Sequence, residues 1–178
     1  MQLEKMRYEE QMLLHLIKQF DGIGKTAVMK VMFMLQSVKN CDLDYDFSIY
    51  TYGPYSADVT EDLDTLIFND LVISTFSETE GTSYSGYAFS LKDGTKLPEI
   101  SEKDIDSLKD IIKFSQEKKT AKNLELYSTT IYMYNHYKRN KRENNELDIL
   151  KNVNEIKPHF SIDQISKAFN ELKERRYI

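Results

Sequence analysis

The first part of the chain alternates helical and strand-like patterns of hydrophobic residues. Apolar residues keep a helical spacing over residues 3–20, and a turn containing glycine ends that pattern. A second helix, over about residues 26–36, is apolar on most sides, so we expect it to be the buried centre of the fold. Lys30 is its only internal charge. Alternation over residues 47–52 then predicts a strand, and the Gly-Pro pair that follows is expected to end it.

A third helix and a hairpin follow this strand. Ser56 is expected to cap a helix over residues 56–70, whose first turns carry acids that complement the helix dipole. The β-prone runs 71–76 and 87–91 predict a hairpin with a polar, glycine-containing loop. Helix, helix, strand, helix and hairpin is the order of a winged helix. The pattern therefore predicts a winged-helix-like domain.

The rest of the chain has helical patterns throughout. Ser101 with Asp104 is expected to begin one helix, and a second should run from about residue 121 to 137. The capping box Ser161-x-x-Gln164 opens the last helix. The second half is thus predicted to be a helical extension.

A change of charge accompanies the change of pattern. Residues 1–95 carry seven Lys and Arg against 15 Asp and Glu, a net charge of −8, whereas residues 96–178 carry 17 against 14, a net charge of +3. Asp-Gly and a nearby Pro mark residues 92–98 as a turn between the halves. We therefore predict an α+β protein with a winged-helix-like N-terminal domain, residues 1–95, and a helical C-terminal subdomain, residues 96–178.

Composition excludes several classes for this chain of 178 residues. Its 12 Tyr and 9 Phe supply more apolar area than disordered segments carry. No apolar run approaches the roughly 20 residues that a membrane span needs, and the N-terminus lacks the pattern of a signal peptide. The single cysteine, Cys41, cannot form an internal disulfide, which agrees with a reducing compartment. We expect a cytoplasmic protein without a membrane partner.

The charges of the third helix argue against DNA binding through it. A recognition helix in the major groove depends on Lys and Arg to approach phosphates. The helix over residues 56–70 has no basic residue, and its acids are Asp58, Glu61, Asp62, Asp64 and Asp70. We expect it to present a solvated acidic surface and to be unsuited to nucleic acid.

Basic residues gather instead at Lys138, Arg139, Lys141 and Arg142. Four cations beside aromatic residues can hold a nucleic acid or an acidic protein surface. The simpler interpretation is a solvated helix end, because cations favour the last turn of a helix and acids follow at once. A DNA-binding transcriptional regulator that uses residues 138–142 is the alternative function that this cluster leaves open.

Signatures of catalysis and of cofactor binding are weak. The run Gly22-Ile23-Gly24-Lys25-Thr26 is similar to the end of a phosphate-binding loop, but it follows a helix where that loop needs a strand. The three histidines have no metal-ligand spacing to one another or to Cys41, whose thiol pKa the acids after it are expected to raise. We predict a protein that is not an enzyme and has no cofactor or metal.

One short segment carries a family resemblance, together with Lys30 and Gln36 in the preceding apolar helix. The segment is residues 50–56 and contains Tyr52, Gly53, Pro54, Tyr55 and Ser56. The pattern continues after it with Asp62, Leu63, Asp64, Leu66, Leu71 and Val72. The pattern, which covers about residues 22–91, resembles the YwgA-like bacterial proteins and, more distantly, the Panacea domain of SocA-like antitoxins. The resemblance implies a non-enzymatic role in binding another protein, typically a toxin or a client handed to a protease. We therefore expect an antitoxin-like or adaptor protein with residues 52–56 as a candidate interaction site.

Overall fold

The computed structural model describes residues 6–78, 85–118, 120–140 and 146–178. Within these ranges the chain has an α+β fold of seven helices and five short strands. The first elements are α1 (Tyr8–Gln19), β1 (Ile23–Gly24), α2 (Lys25–Ser37), β2 (Ser48–Tyr50), β3 (Gly53–Tyr55), α3 (Ala57–Phe68), β4 (Val72–Glu78) and β5 (Ser85–Leu91). The later elements are the helices α4 (Glu102–Lys118), α5 (Ala121–Arg139), α6 (Glu146–Ile156) and α7 (Ile162–Glu174).

The strands form two separate antiparallel sheets. One has the order β1-β5-β4, in which Ile23 lies opposite Phe89 and Val72 lies opposite Leu91. The hairpin of β4 and β5 confirms the predicted one. The two-residue strand β1 was not predicted, because so short an element has no detectable alternation. The second sheet is the ribbon of β2 and β3, in which Tyr50 pairs with Gly53.

The ribbon replaces the strand predicted over residues 47–52. β2 covers only Ser48–Tyr50, and the chain turns at residues 51–52. The Gly-Pro pair that was expected to end a strand instead begins β3. Proline lacks an N–H for the ladder and is accommodated on edge strands, and both strands of a two-stranded ribbon are edges. The prediction of a single strand was therefore wrong in extent.

The predicted central helix is α2, whose residues 28–35 are all buried. α2 packs against α4 and α5. The main core consequently joins residues from both sides of residues 92–98, among them Leu63 and Val72 with Leu108, Ile111 and Phe114. A second cluster lies among α5, α6 and α7. The division into residues 1–95 and 96–178 stays a prediction.

Local capping explains where the later helices begin. The Ser161 hydroxyl accepts a hydrogen bond from the Gln164 N–H at 3.2 Å, and the Gln164 side chain accepts one from the Ser161 N–H at 2.9 Å, which confirms the capping box. Ser101 accepts a hydrogen bond from the Asp104 N–H at 3.1 Å. In the described parts of the chain, no helix is long and apolar enough to cross a bilayer.

One acid of α3 is buried, which corrects the expectation of a uniformly solvated acidic face. Asp62 accepts a hydrogen bond from the Tyr45 hydroxyl at 2.9 Å and pairs with the Arg7 guanidinium. Burial and the Asp62 carboxylate raise the pKa of Tyr45 far above its usual range, so the hydroxyl remains a donor. The exposed acids of α3 and its C-terminal turn are Glu61, Asp64 and Asp70. Asp62 thus connects α3 to two other parts of the chain.

The replacement Asp62→Ala should lower the free energy of unfolding by about 2 kcal/mol, because it leaves the buried Tyr45 hydroxyl without an acceptor and Arg7 without its partner. Asp64→Ala is the matched control in the same helix. Since Asp64 is exposed, its replacement should change the unfolding free energy by less than about 0.5 kcal/mol. Urea denaturation of both variants checks this, and equal effects would contradict it.

Candidate functional site

The candidate site is the ribbon at residues 50–55, which we call the tyrosine ribbon. Tyr50 and Tyr52 are 68% and 63% exposed, whereas Gly53 and Pro54 are buried. The Tyr50 ring lies 5.7 Å from the Tyr55 ring, centroid to centroid. The segment therefore presents aromatic side chains outward from a backbone that is buried on its other side.

Lys30 of α2 holds the inner strand of the ribbon. Its side chain is 2% exposed, and Nζ donates a hydrogen bond to the Pro54 carbonyl oxygen at 2.7 Å. This is its only hydrogen bond to the described residues, although an ammonium has three donors. Burial, opposed by the carboxylate of Glu125 and assisted by the positive charge of Lys157, lowers the pKa of Lys30 to about 8.

A buried ion pair holds the turn of the ribbon from the other side. Lys157 follows α6, and its Nζ lies 2.8 Å from Oε1 of Glu125 in α5, an approach outside hydrogen-bond geometry. The same Nζ donates to the Tyr50 carbonyl oxygen at 3.0 Å and to the Thr51 carbonyl oxygen. We call Lys30, Glu125 and Lys157 the buried triad. Its two lysines together bind three carbonyl groups of the ribbon.

Gly53 fits the ribbon for two reasons. Its φ of +90° lies in the region that favours glycine. A Cβ atom at this position would lie 3.1 Å from Oγ1 of Thr129 and 3.4 Å from both Cε of Lys30 and Oγ of Ser128. The close approach of the ribbon to α5 therefore depends on the missing side chain as well as on the backbone conformation.

Ser56 occupies the predicted N-cap position of α3 but does not cap it through its side chain. Its N–H donates to Sδ of Met29 at 3.4 Å, and its hydroxyl lies 3.4 Å from Oδ2 of Asp58. The hydroxyl thus donates to the Asp58 carboxylate and does not accept an N–H from the first turn of α3. The predicted helix boundary is confirmed, and the capping hydrogen bond is not formed.

Gln36 anchors the segment before the ribbon to α2. Its Nε2 donates to the Tyr45 carbonyl oxygen at 2.9 Å, and its Oε1 accepts the Tyr45 N–H at 3.2 Å. Lys30 donates in a similar way to the carbonyl oxygen of Pro54. The two polar residues of α2 that carry the family resemblance thus both hold backbone groups of the segment that leads through the ribbon.

A cavity of about 240 Å³ lies between the tyrosine ribbon and the first turns of α2. It is lined by Lys25, Thr26, Met29, Lys30, Tyr50, Tyr52, Gly53 and Tyr55. Carbon atoms of the tyrosines and of Met29 form much of its wall, and no carboxylate is among its lining residues. The cavity is therefore apolar with a cationic side.

The basic cluster lies apart from the ribbon. Lys138 and Arg139 are exposed in the last turn of α5, and neither pairs with an acid of the described residues. Lys141 and Arg142 lie outside the described residues. The ten residues from Thr129, which contacts the ribbon, to Arg139 correspond to about 15 Å of helix. The structure does not bring the two candidate sites together.

Two other side chains that could be reactive, those of Cys41 and His15, make contacts that serve the fold. Cys41 is buried, and burial followed by the charge of Asp104 raises its thiol pKa; the acids next to it in sequence are not the cause. Nε2 of His15 lies 2.8 Å from the Pro98 carbonyl oxygen, as expected of a partly buried histidine with a partner. The described ranges contain no group of three or more His, Cys, Asp or Glu side chains arranged to hold a metal.

The sequence singled out residues 52–56 and Lys30, but it revealed neither the two-stranded ribbon nor Glu125 and Lys157. The sequence signal that could have revealed Glu125 is a polar stripe on α5, in which Ser128 and Thr129 follow Glu125 at helical spacings of three and four residues. All three residues are buried in the structure. Lys157 lies just after a helix and has no local signal, because its partners are backbone carbonyls more than 100 residues earlier.

Comparison with protein-family models and with curated proteins gave no match for this chain.

Gly53→Ala should lower the free energy of unfolding by about 2–4 kcal/mol, because it adds a steric contact with Thr129 to the cost of a positive φ. Gly22→Ala is the control, since Gly22 has a φ of +71° but open space around it. That variant should show only the conformational cost of about 1 kcal/mol. Thermal and urea denaturation of both variants measure the difference, and equal losses would refute the steric contribution.

The stability that Lys30 contributes should rise with pH. Its pKa is about 8 in the folded protein and near 10.4 in an unfolded chain, so between these values the unfolded state binds more protons. Relative to Lys30→Met, the wild-type protein should gain on the order of 2 kcal/mol of unfolding free energy between about pH 7 and pH 10. Urea denaturation at both pH values measures this, and tyrosine ionisation is common to both proteins. A constant difference would contradict it.

Proposed function

We propose that this chain is a non-enzymatic protein-binding module, antitoxin-like or an adaptor, whose partner contacts the tyrosine ribbon. The observation that carries the proposal is the exposure of Tyr50 and Tyr52 on a backbone held by the buried triad. Tyrosine combines a large apolar body with a polar tip and is enriched at interfaces. A segment that is already ordered loses little conformational entropy on binding.

The resemblance to YwgA-like proteins and to the Panacea domain is part of this proposal. Among the residues that carry it, Lys30 and Gln36 bind backbone carbonyls of the segment that leads through residues 45–54, which supports a common role for these two residues. The order α1, α2, α3 and the β4–β5 hairpin supports a winged-helix-like arrangement for the N-terminal part. Under this proposal the partner is a protein, such as a toxin or a client, in the cytoplasm.

The second candidate is a DNA-binding regulator that uses Lys138, Arg139, Lys141 and Arg142. The observation that favours it is the exposure of Lys138 and Arg139, neither of which forms an ion pair with an acid of the described residues. Exposed cations that form no ion pair within the protein can neutralise the phosphates of a nucleic acid. The exposed acids of α3 would oppose DNA on that face, so this function would use the end of α5 alone.

Co-expression with the product of the neighbouring gene tests the protein-binding proposal. In the complex that co-purifies, replacing both Tyr50 and Tyr52 by Ser should weaken binding at least tenfold, because tyrosines at the centre of an interface commonly carry more than about 1.4 kcal/mol. Tyr87→Ser is the matched control, since Tyr87 is 53% exposed on the β4–β5 hairpin. Titration calorimetry measures the affinities.

Unchanged affinity of the double variant would overturn the assignment of the tyrosine ribbon. Duplex DNA binding by the full chain that disappears when the cations at 138, 139, 141 and 142 are neutralised would instead favour the regulator. Both variants keep the buried triad, and thermal denaturation of each variant separates loss of the fold from loss of binding.

A further inference from the structure

The cavity beneath the tyrosine ribbon has the size and the walls of a small-ligand site. Its volume of about 240 Å³ has room for on the order of eight non-hydrogen atoms. Met29 and the rings of Tyr50, Tyr52 and Tyr55 supply apolar surface, and no carboxylate lines it. Such a cavity favours a small and mainly apolar molecule that carries no positive charge.

Lys30 is the buried polar side chain of this cavity, and its hydrogen bonding fits a neutral amine. It is 2% exposed, and its single hydrogen bond to the described residues goes to the Pro54 carbonyl oxygen at 2.7 Å. A buried ammonium with one acceptor leaves two donors unsatisfied. A neutral amine keeps the same hydrogen bond and retains a lone pair, which makes it the less costly form in this place.

The charges that face Lys30 act in opposite directions. Glu125 on α5 favours the ammonium, whereas Lys157 after α6 disfavours it; Lys25 lies on the same helix at the cavity, and the ribbon contributes tyrosine rings. Nζ of Lys157 forms an ion pair with Oε1 of Glu125 at 2.8 Å. With burial as the largest effect, the pKa of Lys30 falls to about 8. A much larger fraction of the molecules therefore carries the neutral amine near neutral pH than for an ordinary lysine, whose pKa is about 10.4.

We propose that Lys30 is a covalent binding site for a small apolar aldehyde or ketone, which the cavity holds while the amine forms a Schiff base with it. Desolvation in an apolar pocket beside another cation is one way in which a protein lysine becomes a nucleophile toward carbonyl compounds. The lining of the cavity supplies the apolar surroundings, and Lys157 behind it supplies the second cation. This inference concerns a ligand, and it does not depend on the protein-binding role.

The chemistry needs no other reactant. The Nζ lone pair attacks the carbonyl carbon, a C–N bond forms, and one amine proton moves to the oxygen to give a carbinolamine. The C–O bond then breaks, and water leaves with that oxygen and both amine hydrogens, which produces the C=N bond. No electrons are gained or lost overall, and addition of water restores the lysine and the carbonyl compound.

Reductive trapping on the full chain tests the proposal. The protein is incubated at about pH 7.5 with hexanal and sodium cyanoborohydride, which reduces the imine to a stable secondary amine, and peptide mapping by mass spectrometry locates the label. We expect Lys30 to be labelled at least tenfold faster than Lys25, which lines the same cavity but is only half-buried. The labelling rate of Lys30 should rise with pH and reach half its maximum near pH 8.

Two tryptophan variants test the part played by the cavity. Thr26→Trp should fill it and slow the labelling of Lys30 at least tenfold, while the exposed Lys109 reacts as before. Thr75→Trp, on the exposed side of β4, should leave the labelling of Lys30 unchanged. The proposal is overturned if the folded wild-type protein labels Lys30 no faster than Lys25 while urea-unfolded protein labels it normally, or if Thr26→Trp has no effect.

Discussion

Two buried lysines bind the carbonyl oxygens of one turn, and the exposed candidate surface depends on them. Lys157 donates to the carbonyls of Tyr50 and Thr51, and Lys30 donates to that of Pro54. Removing a charge from water costs several kcal/mol, which a partner must offset. Glu125 does so for Lys157 at 2.8 Å, whereas Lys30 keeps a single hydrogen bond among the described residues. The same arrangement therefore makes one lysine a stable anchor and the other a chemically distinct amine.

The helices could be predicted because their signals are local. Apolar spacing located α1, α2 and α5, and the capping box at Ser161 located α7. Lys30 was visible as a single charge in an apolar helix, but its partner was not, since that partner is a backbone carbonyl 24 residues away. The pairing of Glu125 with Lys157 joins α5 to the chain beyond α6, and no periodicity describes such a contact.

The strands and the acids of α3 show a second limit of sequence reasoning. β3 contains a glycine and a proline, which usually end strands, and it exists because α5 and Lys30 hold the backbone in place. Asp62 resembles its acidic neighbours in sequence, yet it is buried because Tyr45 and Arg7 reach it from elsewhere in the chain. Local composition predicts the average environment of a helix face, and long-range partners decide the exceptions.

The sequence distance between Lys157 and the ribbon has a consequence for how the protein folds. Its hydrogen bond to Tyr50 spans 107 residues, so the entropy of closing a long loop must be lost before this contact can form. Helices α2 and α5 have to be packed, with the chain after α6 in place, before the turn acquires its three carbonyl contacts. We therefore expect the contacts of Lys157 with the turn to form late in folding, although the pairing of β2 with β3 is local. Loss of these contacts should act mainly on the rate of unfolding and leave the rate of folding nearly unchanged.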